Sequence, residues 1–242
     1  MAYQNGPKIV ADGLVLCLDA GNPKSYTGSG TTWTDLSRNG NNGTLTNGPV
    51  FNTGDKGGIV LDAADDWISI SPSSSLKVDG GDFTIFSVHK IGTVMDNWGN
   101  FFYQGSDDGF QGGAATNKSI FFQRYQNDSV ELDFYGNGVR VNFGTNSFAA
   151  NTLVFIAVSF KKTALTSVFF RNGVFSSTQT HTGSPSFTTL SAVQIGKRYI
   201  NGYFFSTKDL SGTNYITLLY NRSLSNLEIL QNYNATKGRF KL

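Results

Sequence analysis

Short apolar or alternating runs, each closed by a Gly, Asn or Asp turn, recur along this whole chain. "GLVLCLDA" (13–20) is a continuous apolar run, consistent with a buried strand. "GIVLDAADDWISI" (58–70) reads as strand, polar kink and strand. In "DFTIFSVHKIG" (82–92), Phe83, Ile85 and Ser87 fall on one face and Thr84, Phe86 and Val88 on the other, because strand side chains alternate. "NFFYQG", "SIFFQRYQ", "VELDF", "TLVFIAVSF", "AVQIGKRY" and "TNYITLLYNR" extend the series. In "SVFFRNGVFSST" (167–178), Asn172-Gly173 takes the left-handed dihedrals of a two-residue hairpin turn. Many short strands with such turns predict an all-β, two-sheet antiparallel sandwich.

Composition agrees. The 28 Gly, 20 Phe and 10 Tyr suit pleated surfaces and tight turns, and only 15% of residues are charged. A length of 242 residues fits one sandwich domain. The expected organisation is an N-terminal arm over 1–12 and one domain over 13–242. The polar stretch between residues 20 and 58 is too long for an idle loop, and Trp33, Leu36, Leu45 and Val50 are expected to pin it to the core. One helix stands out in "LSNLEILQNYNATKG". Ser225 and Glu228 form a capping box, and Leu224 with Ile229 forms a hydrophobic staple. Leu227, Leu230 and Tyr233 supply its expected packing stripe and Gly238 its stop. The helix is expected to cover a sheet edge or one end of the sandwich.

Several function classes fall away. The net charge is +2 and the charges are scattered, so no basic footprint for nucleic acid exists. No segment has the eighteen or so apolar residues of a membrane span. The N-terminus has no apolar signal core, so the chain is expected to be made in the cytoplasm without an export signal. A single cysteine, Cys17, rules out an internal disulfide, and its apolar run marks it as a buried small hydrophobe. His89 and His181 stand far apart in sequence, which argues against zinc. No hydrolase elbow, phosphate loop or dinucleotide fingerprint appears.

The order of several phrases resembles the laminin-G-like branch of the concanavalin A-like lectin/glucanase jelly rolls. "GLVLCLDAGNP" is similar to its opening strand. "WTDLSRNGNNGTLTNGPVF" is similar to its Asp-x-Ser-Gly-Asn-Gly-Asn-x-Gly segment, and "IVLDAADDWISI" to its Phe-Asp-Gly-x-Asp-Asp-Tyr-Val element. The central strands, the Asn-Gly hairpin and the final strand-plus-helix also match, from about residue 12 to 236. Arg38 and Ala63 stand where this pattern has Gly, and Trp67 where it has Tyr. The termini, "MAYQNGPKIVADGLVLCLDAGNPKSY" and "NRSLSNLEILQNYNATKGRF", further resemble laminin-G-like structural proteins of tailed bacteriophages, especially those infecting marine cyanobacteria. That resemblance implies a concanavalin A-like jelly roll serving as a virion fibre, tail or capsid-decoration component. A virion protein made in the host cytoplasm needs neither export signal nor disulfide.

Glu131 and Asp133 are two apart, so they share one strand face. Glucanases of this fold carry Glu-x-Asp-x-x-Glu on one strand. Here Tyr135 and Gly136 stand where the third carboxylate belongs. A retaining glycosidase needs two carboxyls about 5–5.5 Å apart, one of them protonated. No acid partner is visible, so the pair reads as a wet strand face or a polar sugar contact, and the chain is expected not to be an enzyme. Trp33 and Trp98, in polar Gly-rich surroundings, are the candidate exposed sugar platforms; Trp67 fits a core slot better. Tyr135 joins Glu131 and Asp133 as a candidate sugar contact. Two loops have oxygen-rich side chains suited to calcium: Asp35, Asn39, Asn41 and Asn42 in one, and Asp62, Asp65 and Asp66 in the other. In both, the alternative is turn chemistry, with Asp and Asn accepting backbone N–H groups. No cofactor is required, and calcium is the one candidate. The expected partners are other virion proteins, a second copy of the chain and host surface polysaccharide. A stand-alone carbohydrate-binding module is the alternative, and a polysaccharide depolymerase the third reading.

Overall fold

The computed structural model describes residues 7–93, 99–105, 119–125, 129–134, 139–143, 147–186, 189–190, 192–197, 199–200, 203–204 and 210–242. In chain order its strands begin with β1 (Leu14–Asp19), β2 (Thr32–Trp33), β3 (Gly43–Thr46), β4 (Val50–Asn52), β5 (Gly58–Asp62) and β6 (Trp67–Ile70). The middle strands are β7 (Phe83–Ile91), β8 (Asn100–Gly105), β9 (Ser119–Tyr125), β10 (Ser129–Asp133), β11 (Val139–Asn142) and β12 (Leu153–Lys161). The last are β13 (Thr166–Arg171), β14 (Val174–Thr180), β15 (Ala192–Gly196), β16 (Tyr199–Ile200), β17 (Tyr203–Phe204) and β18 (Ser211–Tyr220). Helix α1 (Asn226–Lys237) follows.

Two eight-stranded antiparallel sheets result, as expected of a jelly-roll sandwich. The first runs β14-β13-β12-β7-β18-β5-β4; β5 pairs the first half of β18 and β1 its second half. The second runs β11-β10-β9-β8-β15-β6-β3-β2, and β16 and β17 form a small ribbon. The Asn172-Gly173 hairpin forms as read, with both residues at positive φ and Arg171 opposite Val174.

The continuous apolar runs have a physical cause. The first sheet is buried on both faces. Phe83, Ile85, Val158 and Phe169 point into the core between the sheets. Cys17, Phe86, Val88, Phe155 and Leu218 pack on the other side, with Val10 of the arm and Ile229 of α1. The helix therefore covers a sheet face, not an edge or an end.

The capping box forms: the Glu228 N–H donates to Ser225 Oγ, and Glu228 Oε2 accepts from the Ser225 N–H at 2.8 Å. Arg222 also pairs with Glu228, and that hydrogen bond holds the carboxyl down at about 2. Leu224 and Ile229, the staple, are both buried; full burial of Ile229 contributes about 1.5–3 kcal/mol. The packing stripe differs in part from expectation. Leu227 is 78% and Leu230 40% exposed, while Tyr233 packs as expected, its ring 5.0 Å from that of Phe155, and Ile229, Asn232 and Thr236 face inward. Asn232 is inside because it is bonded: its Oδ1 accepts the Val10 N–H at 2.8 Å, and its Nδ2 donates to Tyr220 Oη at 3.0 Å. Thus the arm's described part, from residue 7, is tied to the helix. The helix stops at Gly238 as expected, its C-cap, but that residue is right-handed and begins a short 3-10 turn, and Lys241 takes the left-handed position.

The 20–58 excursion is strand-forming. It supplies β2, β3 and β4; β4 is an edge of the first sheet, β2 an edge of the second, and β3 pairs between β2 and β6. Trp33 and Leu45 are buried and Leu36 packs against the core, but Val50 is 64% exposed and pins nothing.

Candidate functional site

Alternation divides the second sheet. Ile68, Ile70, Ile120, Phe122, Val130, Leu132, Val193 and Ile195 point into the intersheet core. Their neighbours, Trp67, Ser69, Tyr103, Phe121, Gln123, Glu131, Asp133, Arg140 and Gln194, therefore share the outer face. This places Glu131 and Asp133 together, as the sequence predicts.

Glu131 is engaged on both oxygens. Register sets it opposite Gln123 on β9 and Arg140 on β11. Gln123 Nε2 donates to Oε2 and Arg140 Nε to Oε1, each at 2.8 Å. Glu131 is 2% exposed, whereas the Arg140 side chain is 49% exposed. Each carboxylate oxygen thus accepts one of these bonds inside a nearly closed environment. The row Gln123–Glu131–Arg140 ties three strands together and presents Arg140 outward. Asp133, further along the same face, is half-buried. Tyr135 and Trp98 lie outside the described residues.

The tryptophans exchange roles. Trp33 is fully buried in the core and cannot be a sugar platform. Trp67 lies half-buried on the outer face, with Lys197 Nζ 5.2 Å from its ring centroid. The alternation of "WISI" held that signal: Trp67 and Ser69 oppose Ile68 and Ile70. Sequence reasoning also missed Gln123, Arg140 and Gln194, which become visible only from the register.

The two oxygen-rich loops differ. In 35–42, Asp35 Oδ1 accepts the Cys17 N–H (2.8 Å) and the Ser37 N–H (2.9 Å). Its Oδ2 accepts the Ser37 hydroxyl (2.6 Å) and the Asn41 N–H (3.0 Å). Asn42 Oδ1 accepts the Asp35 N–H, and Asn41 and Asn39 donate to the Val15 and Leu14 carbonyls. These side chains fasten the loop to β1 through turn chemistry rather than converging on a cation. In 62–66 the chain crosses from β5 in the first sheet to β6 in the second. There one ligand atom from each of Asp62, Asp65 and Asp66 lies within 4.8 Å of the others. Burial, with Asp62 and then Asp65 beside it, raises the Asp66 carboxyl to about 6. Asn47, at the neighbouring crossing from β3 to β4, donates to Asp65 Oδ2 at 3.1 Å. Of the two calcium candidates, this corner alone brings carboxylates together.

Cys17, His89 and His181 are each packed into the fold. Cys17 lines a cleft of about 890 Å³ between the arm, β1 and the end of α1. Burial, then Asp19 and Asp35, push its thiol up to about 12, which leaves it unreactive. His89 is fully buried, which lowers it to about 4, and it bonds the Ser211 carbonyl through Nε2 at 3.0 Å. His181 Nε2 lies 2.7 Å from Ser167 Oγ, and its ring stacks on Phe134. Cys17 and His89 occupy opposite faces of the first sheet.

None of the curated proteins matches the chain. Among solved structures, Trypanosoma rangeli sialidase in complex with sialic acid matches with a TM-score of 0.66 at 16% identity, over 94% of this chain and 33% of that one. The chain thus spans about a third of that sialidase's length. The binding domain of Paraclostridial Mosquitocidal Protein 1 matches with a TM-score of 0.63 at 15% identity, over 93% of this chain and 52% of that one. The CBM40 of the Ruminococcus gnavus IT-sialidase, bound to α2,3-sialyllactose, matches with a TM-score of 0.56 at 16% identity, over 72% of this chain and 94% of that one. At these identities the likeness is one of fold. The family model for the concanavalin A-like lectin/glucanases superfamily, in its laminin-G form, matches residues 62–230, and the chain belongs to that family.

Proposed function

We propose that this chain is a glycan-binding, non-enzymatic component of a tailed-bacteriophage virion, a fibre, tail or capsid-decoration protein that contacts host surface polysaccharide. The observation that carries the glycan half is the likeness to the sialyllactose-bound CBM40, which covers 94% of that module's length. The outer face of the second sheet supports it: Asp133 and the outward guanidinium of Arg140 lie on neighbouring strands and offer hydrogen-bonding groups, and the half-buried ring of Trp67 stands on the same face, four strands from Asp133. The virion half rests on the terminal phrases that resemble phage structural proteins. Other virion proteins and a second copy are its assembly partners. Among the described residues no helix is long and apolar enough to cross a membrane.

A glycan array followed by calorimetry on the best polysaccharide tests the glycan half, run with and without Ca²⁺. Binding that falls at least tenfold in Arg140→Ala and Asp133→Ala is expected; flat titrations in both buffers overturn it. Cryo-EM and mass spectrometry of purified particles test the virion half, which the protein's absence from them would sink. If the glycan binds but particles lack the protein, the stand-alone carbohydrate-binding module is the reading that survives. The depolymerase reading is opposed by the engaged oxygens of Glu131. Polysaccharide turnover that Glu131→Gln abolishes would restore it.

A further inference from the structure

Among the described residues the edge strands of the two sheets are β4, β14, β2, β11 and β1, and they are not alike; β1 pairs only β18, and its other side is covered by the 35–42 loop. β4 is three residues long and β2 two; β11 has four and carries Arg140. β14 runs for seven residues, VFSSTQT, with no charged residue and no proline. Native proteins blunt edge strands by shortness, Lys, Pro, a bulge or cover; β14 has a bulge near its start, where Phe170 pairs with Phe175 and Phe169 with Ser177, but its regular part, Ser177–Thr180, carries no Lys and no Pro. Val174 is 67% and Phe175 50% exposed, and Thr178 and Thr180 are exposed as well.

The ladder fixes which groups face outward. The His181 N–H donates to the Leu165 carbonyl at 2.7 Å. Thr180 lies opposite Thr166, Gln179 opposite Ser167 and Thr178 opposite Val168. Bonded and non-bonded pairs alternate along an antiparallel ladder. Gln179 therefore exchanges its bonds with β13, while Thr178 and Thr180 turn N–H and C=O to the open side. Among the described residues no backbone group takes them up.

We propose that β14 is the edge through which two copies of this protein associate, pairing antiparallel across a two-fold axis so that the first sheets join into one. The chemistry selects a second copy. The strand presents hydroxyl, amide and apolar groups only, so a two-fold brings no like charges together. A charged peptide would find no counter-charge on it. Phe175, at one end, then covers the hydroxyl-bearing end of its partner strand. A seven-residue pairing is small beside the usual stable interface, so the dimer is concentration-dependent and reversible. This gives a surface to the self-association named above and is independent of glycan binding.

Sedimentation velocity over a concentration series tests it on the full chain. The wild type is expected to pass from monomer to dimer. Thr178→Pro removes an outward N–H and no internal bond, and Thr178→Lys sets charge against charge near the axis; both are expected to stay monomeric. Mixing Thr178→Lys with Thr178→Glu is expected to restore a dimer containing one of each. Thr178→Lys, a change at an exposed side chain, keeps the test open if the proline variant does not fold. A wild type monomeric throughout, or a dimer that both single variants leave intact, overturns the proposal. The glycan array on monomeric Thr178→Lys separates the two readings, since binding there is expected to be unchanged per chain.

Discussion

Two loops of this protein read almost alike and behave as opposites. Both 35–42 and 62–66 are short and rich in Asp or Asn, and both contain a left-handed residue that is not glycine. In the first, four donors surround one buried carboxylate. In the second, three carboxylates crowd together, and the buried one holds its proton up to about pH 6. The difference lies in what the fold delivers to each. β1 runs past Asp35 and offers the Cys17 N–H, so charge there meets donors. At the corner between the sheets, the chain turns back on itself and charge meets charge. A carboxylate stabilises or destabilises according to its neighbours, and composition does not reveal which.

The largest expected effect is at Asp35. Asp35→Ala strips four hydrogen bonds and leaves the buried Cys17 and Asn41 N–H groups without acceptors. A loss of about 3–5 kcal/mol is expected in urea unfolding. A loss under about 1 kcal/mol would mean that the loop keeps its place without its hub, and the contrast would fail.

Glu131 is a third case, with a donor on each oxygen. Arg140→Ala leaves it buried on Gln123 alone. Breaking a buried pair costs about 3–5 kcal/mol, but Arg140 is half exposed and screened, so about 1–3 kcal/mol is expected. Arg140→Ala combined with Glu131→Gln should recover part of that loss. No recovery would show that the charge left behind was not the cause.

Asp66 should respond with the opposite sign. Its folded carboxyl is raised to about 6, above the ordinary value of about 3.9. Such a group favours folding fully below its unfolded value and loses that contribution as pH rises through its folded value. Above about pH 6, then, the wild type carries the repulsion and desolvation of a charged corner. Asp66→Asn keeps an oxygen for the Asp62 N–H and is expected to be about 1–2 kcal/mol more stable than wild type near pH 8, with no gain near pH 4. Paired urea titrations at the two pH values decide it. Equal stability near pH 8 would remove the crowding from 62–66.

Local physics was legible beforehand, and tertiary supply was not. The Asn172-Gly173 hairpin and the Ser225/Glu228 box were readable because each needs only residues within a few positions. That Glu131 and Asp133 share a face followed from period-2 alternation, but the face is not wet at Glu131, which is 2% exposed because its partners come from other strands, through register. Trp33 and Trp67 were exchanged because Gly-rich flanks suggested exposure, whereas the short strand β2 carries Trp33 into the core. The helix stripe held at Tyr233 but not at Leu227 and Leu230, for the same reason. Asn232 faces inward because Val10 and Tyr220 wait there to bond it, and Leu227 is left outside.

The smallest expected effect should erase the contrast between the loops. Arg38 (φ 74°) and Ala63 (φ 68°) both adopt left-handed backbone where the family pattern has glycine. For a residue with a Cβ that conformation costs roughly 1–2 kcal/mol. Glycine removes the clash, and its freer unfolded chain takes back about 0.4–1 kcal/mol. Ala63→Gly and Arg38→Gly are each expected to gain about 0.5–1 kcal/mol in urea unfolding. Backbone strain has no charge, so both gains should hold from pH 4 to pH 8, about where the Asp66→Asn gain comes and goes. A gain from Ala63→Gly that tracked pH would mean that the turn's geometry, and not burial beside Asp62 and Asp65, sets the proton affinity of Asp66.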